Sequence, residues 1–283
     1  MKYCITLIFI VFTNVLLAQD KLYKISQEIV QEAELLYRSE KASWHGTDLF
    51  LKIYKEKEKI GGYFSYSIND TNRCVFYSKD EIPKVVGEVN FDSTFNIQTA
   101  ISFLTIRPFT SLEKDLYIIR LNSEKLMSID TTFIRYQNTN FNIIPIIIAN
   151  EKRVYVLTGT QTSGFVPLGN DYLITFNSNH KITKINKLHN NYIPIQFGEI
   201  AEISYHFHLE NDSEYITATD ICTLMLYRDF TKWKKHIVYS DKTVCIWDYE
   251  TFELQIVTKK EFKKANKELA KLLHKEIKKT SKK

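Results

Sequence analysis

Glycine and proline are scarce in this chain, which contains 8 and 5 of them among 283 residues. No stretch matches the patterns GxGxxG, GxxxxGKS or GxxxxGKT. The sequence therefore lacks the glycine-rich loops that hold the phosphates of nucleotides and dinucleotides. Long Gly/Pro-rich linkers are excluded by the same scarcity.

Cysteine is scarce as well, with 4 residues and no CxxC pair. Cys4 lies in an N-terminal apolar run, which leaves Cys74, Cys222 and Cys245 in the rest of the chain. Three cysteines form at most one bridge, so no disulfide framework is encoded. Cys222 has apolar neighbours, which favours an inert buried thiol over a nucleophile.

The net charge of +5 is concentrated in the last 25 residues. Residues 259–283 contain eleven Lys and three Glu and carry +8, so the preceding chain carries −3. A nucleic-acid partner is therefore not supported. The tail is expected to be a solvated basic helix that makes at most a weak contact with an anionic surface.

The N-terminus predicts a secretory leader. Lys2 precedes an apolar run, Tyr3–Ala18, that is too short to span a bilayer and ends in a small residue before Gln19. We expect residues 1–18 to be a cleaved signal peptide, and the mature protein to be periplasmic or secreted. An N-terminal membrane anchor remains the alternative.

Hydrophobic periodicity predicts an α+β fold in two parts. Residues 19–139 form an N-terminal α+β region, in which a long helix over 21–54, bent near Gly46, precedes an antiparallel meander and a helix that Ser111 caps. Residues 140–258 form a strand-rich domain, and residues 259–283 form the basic helix. The strands and helices predicted from residue 60 onward are 63–68, 73–78, 85–91, 99–106, helix 111–127, 141–148, 154–159, the hairpin 172–177 and 181–188, 200–209, helix 218–236, and the hairpin 244–249 and 254–257.

One motif carries most of the chemical signal. His206 and His208 lie two apart on a predicted strand, so their imidazoles share a face. Asp220 lies in the first turn of the next predicted helix and can return over that strand. Two imidazoles and one carboxylate leave a fourth position for water, which is typical of a catalytic zinc site. The alternative is that the histidines are half-exposed and Asp220 only complements the helix dipole.

This pattern resembles the metal motif of the JAB/MPN metallopeptidases, also called JAMM proteins, over residues 140–257. The resemblance implies a mixed sheet with a helix after the HxH strand, and it implies zinc binding by His206, His208 and Asp220. It also implies that Thr217 assists the oxyanion and that Glu151 acts as the general base. The implied activity is hydrolysis of peptide or isopeptide-type amide bonds, with a peptide or protein as substrate.

The chain departs from the family pattern at several positions. Leu209 stands where the family usually has Pro, and Thr217 replaces a Ser. Glu199 and Glu202, just upstream of the histidines, are rival candidates for the base. The other possibility is therefore a non-catalytic secreted binding or structural protein with a degenerate site. The leader together with residues 169–172 and 217–223 also resembles uncharacterised secreted proteins of Bacteroidetes-type bacteria, which implies no substrate.

Two other families use HxH, and the remaining histidines carry weaker signals. An amidohydrolase barrel is excluded because 75 residues after His208 cannot complete a barrel of ~250 residues. A cupin is disfavoured because Glu214 is followed by no glycine. His180 and His189 lie near turns, where surface or hydrogen-bonding roles are favoured, and His45 is assigned a packing role.

Overall fold

The computed structural model describes residues 2–209 and 212–280, and it describes side chains for residues 19–209 and 212–271. The described part has the predicted α+β architecture, with four α-helices and fourteen strands. The helices are α1 (Lys2–Ile53), α2 (Ser111–Ile129), α3 (Ala218–Leu226) and α4 (Lys259–Thr280). The strands are β1 (Ile60–Ile68), β2 (Thr71–Ser78), β3 (Val85–Phe91), β4 (Ile101–Arg107), β5 (Thr139–Ile148), β6 (Glu151–Thr160), β7 (Phe165–Gly169), β8 (Tyr172–Phe176), β9 (Ile182–Lys187), β10 (Tyr192–Gln196), β11 (Ile203–Phe207), β12 (Lys235–Tyr239), β13 (Thr243–Asp248) and β14 (Leu254–Thr258).

The backbone contacts divide the chain into two compact units. The larger unit comprises Glu32–Glu199 and Ala218–Thr231, and the smaller unit comprises Met1–Gln31, Ile200–Thr217 and Lys232–Lys283. Both units are discontinuous in sequence. The sequence-based boundaries after residues 139 and 258 describe a different division, and they stay predictions.

The first sheet of the larger unit is the predicted antiparallel meander, in the order β1-β2-β3-β4. Residues 32–53 of α1 pack against it, and the ring of Phe50 stacks on that of Phe76 with centroids 4.0 Å apart. Gly87 permits this packing, because a Cβ there would lie 2.5 Å from the Phe50 ring. Gly46, where the sequence suggests a bend, lies inside the continuous helix, and a Cβ there would lie 2.6 Å from that of Cys74. Glycine at these two positions allows close approach of helix and sheet.

The second sheet of the larger unit has the order β5-β6-β8-β9, and all of its pairings are antiparallel. Leu116 and Ile119 of α2 join Val154, Tyr172 and Ile174 of this sheet in one buried cluster. The hairpin predicted between residues 172 and 188 is confirmed as β8 and β9. Leu116 and Ile119 therefore lie on the buried face of α2.

The sequence did not predict β7 and β10, which form a separate two-stranded antiparallel sheet. Each contains a proline, and Pro167 lies opposite Pro194 in the register. Proline donates no ladder hydrogen bond, so a proline inside a short apolar run counts against a strand. The two strands can still pair because the prolines lie opposite each other, at a position where neither residue has to donate a ladder hydrogen bond.

The predicted helix over residues 218–236 is too long. The helix α3 ends at Leu226, a short 3-10 turn covers Arg228–Phe230, and residues 235–239 form β12. The apolar spacing that continues to Phe230 belongs to the turn rather than to the helix. His236, assigned to the helix end by sequence, instead lies buried on a strand.

The smaller unit is built on a mixed sheet of order β11-β12-β13-β14. The pair β11 and β12 is parallel, and the other two pairs are antiparallel. The closing hairpin predicted from residue 244 is confirmed as β13 and β14. Side chains alternate along β11, so that Ser204 and His206 are buried while Ile203, Tyr205 and Phe207 are exposed.

The predicted signal peptide, residues 1–18, lies outside the residues whose side chains are described, so its cleavage stays a prediction. Among the described residues, no helix has both the length and the apolar character needed to cross a membrane. The basic tail forms α4 as far as Thr280, and its side chains are described only up to residue 271.

A buried ion pair fixes the start of α2. Glu113 is 0% exposed, and its carboxylate accepts hydrogen bonds from Arg107 Nη1 at 2.6 Å and Nη2 at 2.8 Å. Burial raises the pKa of Glu113, but the Arg107 guanidinium together with hydrogen bonds from the Thr110 backbone and the Tyr66 hydroxyl outweighs it, and the net direction is downward. Glu113 also forms a capping box with Thr110, so Thr110 and not Ser111 is the N-cap. Arg107 additionally pairs with Glu88 at 2.7 Å.

We expect Arg107→Met to lower the free energy of unfolding by about 3 kcal/mol, because the substitution leaves the Glu113 carboxylate buried without its cation. Urea denaturation measures this loss. Arg73→Met is the matched control, since Arg73 lies 3.7 Å from Glu88 but does not contact Glu113, and it should cost less than ~1 kcal/mol. Equal losses of unfolding free energy in the two variants would contradict the stabilising role of the Arg107–Glu113 ion pair.

Candidate metal centre

The strand β11 aligns a row of buried polar side chains. Ser204 and His206 point to its buried side, and His208 follows directly after its last residue; the three are 5%, 4% and 5% exposed. On the parallel neighbour β12, His236 is paired in register with Ser204 and is fully buried. The prediction that His206 and His208 share a face is confirmed by the distance of 3.0 Å between their Nε2 atoms.

Hydrogen bonds at the other ring nitrogens orient both imidazoles. His208 Nδ1 lies 2.8 Å from the carbonyl oxygen of Ser213. A carbonyl only accepts, so this nitrogen carries the proton, and when the ring is neutral the lone pair of Nε2 points toward His206. His206 Nδ1 lies 2.8 Å from His236 Nε2, and His236 Nδ1 lies 2.7 Å from the hydroxyl of Ser204. The four residues and the Ser213 carbonyl form one continuous relay.

Two proton arrangements satisfy this relay. In one, Ser204 donates to His236, His236 donates to His206, and His206 Nε2 donates to His208. In the other, the protons between Ser204, His236 and His206 are reversed, and two Nε2 lone pairs face each other, which is favourable only with a cation between them. Two nitrogens bound at about 2.0–2.1 Å to one tetrahedral zinc ion lie roughly 3.3 Å apart, close to the observed separation.

The start of α3 holds a second buried group of charges. Asp220 lies in the first turn of this helix, as predicted, and is 0% exposed. Its Oδ2 lies 3.2 Å from Nε2 of His189, and Nδ1 of His189 lies 3.5 Å from Oδ2 of Asp171. Burial by itself lowers the pKa of His189, but the carboxylates of Asp220 and Asp171 outweigh it and hold that pKa well above its ordinary value. Burial raises the pKa of Asp171.

Four buried side chains meet the requirement for a metal-binding group. Each of His189, His206, His208 and Asp220 offers one ligand atom, and these atoms all lie within 4.8 Å of one another. Three imidazole nitrogens and one carboxylate oxygen are donors that suit zinc and other first-row transition metals. This group could hold a metal ion.

A cleft of about 680 Å³ lies beside His208 in the smaller unit. Its lining includes Asp212, Ser213, Glu214 and Ser240. The Glu214 carboxylate accepts a hydrogen bond from the Ser240 hydroxyl at 3.1 Å. A carboxylate and a relay histidine therefore face the same space.

The proposed general base, Glu151, and the rival candidates Glu199 and Glu202 have exposed side chains, unlike the four candidate metal ligands. Glu151 begins β6 with an exposed side chain, and its carboxylate pairs with Arg153. Glu202 is exposed and pairs with Lys234 at 2.7 Å, and Glu199 is exposed. None of the three belongs to the four-residue group of described ligands. Thr217 is 9% exposed and directly precedes α3.

The sequence did not identify His189 and His236 as residues of the centre. The surface alternative for His189 is wrong because the residue is 1% exposed, whereas the hydrogen-bonding alternative is confirmed by its pairing with Asp220 and Asp171. The signal for it lies in the β8–β9 hairpin, where Tyr172 pairs with Lys187 and brings residue 189 to the level of Asp171. His236 was missed because the helix prediction placed it on the wrong element.

The minor histidine and cysteine predictions have mixed outcomes. His180 makes the hydrogen bond expected of it, to Asp115 at 2.7 Å. Cys222 is buried, and burial raises the pKa of its thiol well above the ordinary value, as expected of an inert residue. The described cysteines, Cys74, Cys222 and Cys245, are free thiols.

Comparisons with protein-family models, with curated proteins and with solved structures found no match. The JAB/MPN resemblance therefore stays a prediction from the residues themselves.

If the group holds a metal ion, we expect His236→Phe to weaken metal binding by about 10- to 100-fold, because His206 loses the partner that orients its ring. Titration against a chromogenic chelator measures the affinity. Tyr239→Phe, on the same strand, is the control and should leave the affinity unchanged, while thermal unfolding of both metal-free variants verifies the fold. An unchanged affinity in His236→Phe would show that the relay does not support the site.

Proposed function

We propose that this protein is a zinc-dependent hydrolase of peptide or isopeptide-type amide bonds that works in the periplasm or outside the cell. The observation that carries the proposal is the buried group of three histidines and one aspartate, with ligand atoms within 4.8 Å of one another. The predicted leader supports the compartment, and the HxH and Asp220 motif supports the reaction class.

The donor set fits zinc. His206 and His208 direct Nε2 atoms toward one point, with their Nδ1 atoms engaged elsewhere. Asp220 supplies a carboxylate oxygen from the rigid first turn of α3. We assign His206, His208 and Asp220 as the residues that hold the ion. A bound zinc ion polarises a carbonyl group and lowers the pKa of a water molecule toward ~7.

The remaining residues supply orientation and proton transfer. His189 donates from Nε2 to Asp220 and so fixes the carboxylate plane, and its high pKa equips that nitrogen to deliver a proton to a leaving amine. Glu214 lines the cleft beside His208 and can accept a proton at a carboxylate oxygen. Thr217 provides a hydroxyl at the start of α3 for a developing oxyanion. Glu151 remains the base implied by the resemblance, and its pairing with Arg153 favours Glu214 instead.

A non-catalytic metal-binding protein is the second candidate, and it is favoured by the position of His189, whose ligand atom lies within 4.8 Å of those of the other three residues. If His189 binds the ion in addition to the other three residues, the site has four protein ligands. Structural zinc sites are closed in this way, whereas catalytic sites keep a position for water or substrate. The role of His189 therefore separates the two candidates.

Metal analysis tests the centre itself. We expect about one zinc per chain in protein purified without chelator, and less than a tenth of that in the double variant His206→Ala/His208→Ala, because two nitrogen donors are removed. Plasma emission spectrometry measures the content. His180→Ala is the matched control and should retain the metal. Wild-type protein without zinc, or a double variant with full zinc, would overturn the proposal.

Hydrolysis and the His189→Gln variant distinguish the two candidates. For a hydrolase, dye-quenched casein or an ε-lysyl isopeptide is cleaved, chelation abolishes cleavage, and zinc restores it. His189→Gln then retains zinc within about tenfold but loses at least 100-fold in rate, because proton delivery is lost. For a closed site, neither probe is cleaved and His189→Gln loses most of its zinc affinity, which would contradict the catalytic proposal.

A further inference from the structure

The larger unit contains a cavity that is separate from the cleft beside His208. None of the four candidate metal ligands lines this cavity. Its volume is about 380 Å³, which lies within the range of small-molecule sites. Residues of α1, β1, β5, β6, β7 and α3 contribute to its wall. Polar hydroxyl and amide groups, among them Asn142 and Thr158, alternate with aromatic rings around it.

The charges in this cavity have one sign. Glu40 and Asp48 line it, and no Lys, Arg or His stands among its described lining residues. Two cations of the larger unit already have acidic partners: Arg120, whose guanidinium lies 5.4 Å from the ring centroid of Tyr63, pairs with Glu124 at 3.0 Å, and Lys41 pairs with Asp229 at 3.9 Å. The cavity therefore has a negative potential that disfavours an anion.

Glu40 lines the cavity and supplies the carboxylate on which the binding of a cation would depend. Among the described residues, no hydrogen bond or ion pair satisfies its carboxylate, and burial raises its pKa to about 7 despite the field of Arg120. The same carboxylate contributes to raising the pKa of Tyr63 and of Tyr227, which shows that both phenols lie within its field. Tyr63, Tyr227 and Trp44 wall the cavity with rings that keep the local dielectric low.

We propose that this cavity binds a small organic ammonium ion, with the Glu40 carboxylate as its counter-charge and the surrounding hydroxyl and amide oxygens as further acceptors. An ammonium group supplies three donors and the missing positive charge. A neutral polar ligand would leave the carboxylate uncompensated, and an anion would be repelled. The ammonium can belong to a free amine or to a lysyl side chain, and the two sources share this chemistry.

Isothermal titration calorimetry with the full chain tests the proposal. The probes are 1,5-diaminopentane for a free amine and Nα-acetyl-lysine N-methylamide for a lysyl side chain, with 1-pentanol as the neutral comparison. We expect a Kd below about 1 mM for at least one ammonium probe. The probe that binds more tightly identifies the source.

Glu40→Gln should weaken binding at least tenfold, because the substitution keeps the shape of the side chain but removes the counter-charge. Glu34→Gln is the matched control, since Glu34 lies on the same helix with an exposed side chain, and it should bind like wild type. Thermal unfolding verifies that both variants fold. The proposal is overturned if neither ammonium probe binds, if 1-pentanol binds equally well, or if Glu40→Gln retains full affinity.

The pH dependence of ammonium binding is a further test. It follows the charge of Glu40, and a purely structural role of Glu40 would not produce it. Glu40 is ionised in about a tenth of molecules at pH 6 and in about nine-tenths at pH 8, because its pKa is about 7. Affinity should therefore rise roughly tenfold over this range in wild type and stay flat in Glu40→Gln. The charged groups around Glu40 are Asp48, which lines the same cavity, and Arg120. Burial raises the pKa values of the Tyr63 and Tyr227 phenols and of the Cys74 and Cys222 thiols, so these four groups stay neutral between pH 6 and 8. A flat wild-type profile would contradict the role of Glu40.

Discussion

The hydrogen bond from His208 Nδ1 to the carbonyl oxygen of Ser213 is the constraint on which the candidate metal centre depends. That nitrogen must carry the proton, so in a neutral His208 ring the opposite nitrogen offers a lone pair, and it lies 3.0 Å from the matching atom of His206. With neutral rings, the tautomer of His206 and the protons of His236 and Ser204 then have two consistent settings. Both settings keep the bond to Ser213, so the direction of the protons shared by Ser204, His236 and His206 separates an imidazole–imidazole hydrogen bond from two lone pairs that face a cation.

The part of the centre that could be predicted from sequence is the part that rests on local rules. The period of two in a strand places His206 and His208 together, and the position of Asp220 in a helical first turn follows from apolar spacing. These rules operate within about twenty residues. The same rules gave the α+β class, the meander and the two hairpins, because each depends on turns and alternation along a short stretch.

Long-range pairing accounts for what could not be predicted. His236 joins the relay because β12 lies parallel to β11, and no local pattern specifies that neighbour. The helix prediction over 218–236, which followed apolar spacing as far as Phe230, shows how such spacing alone misplaces a residue like His236. His189 reaches Asp171 through the β8–β9 register, and the β7–β10 pair was hidden by its two prolines. Each failure concerns a partner chosen by tertiary structure and not by sequence neighbours.

The proton on Nε2 of His189 links the electrostatics of the centre to its possible roles. That nitrogen faces Asp220, and the two buried carboxylates around the ring favour the imidazolium form. A protonated nitrogen cannot be a metal ligand, so the ion pair with Asp220 and a fourth coordinate bond exclude each other. Retaining the proton leaves one position of a tetrahedral ion open for a water molecule, and losing it closes the site. The distinction between a hydrolase and a structural metal protein therefore depends on the proton that His189 Nε2 shares with Asp220.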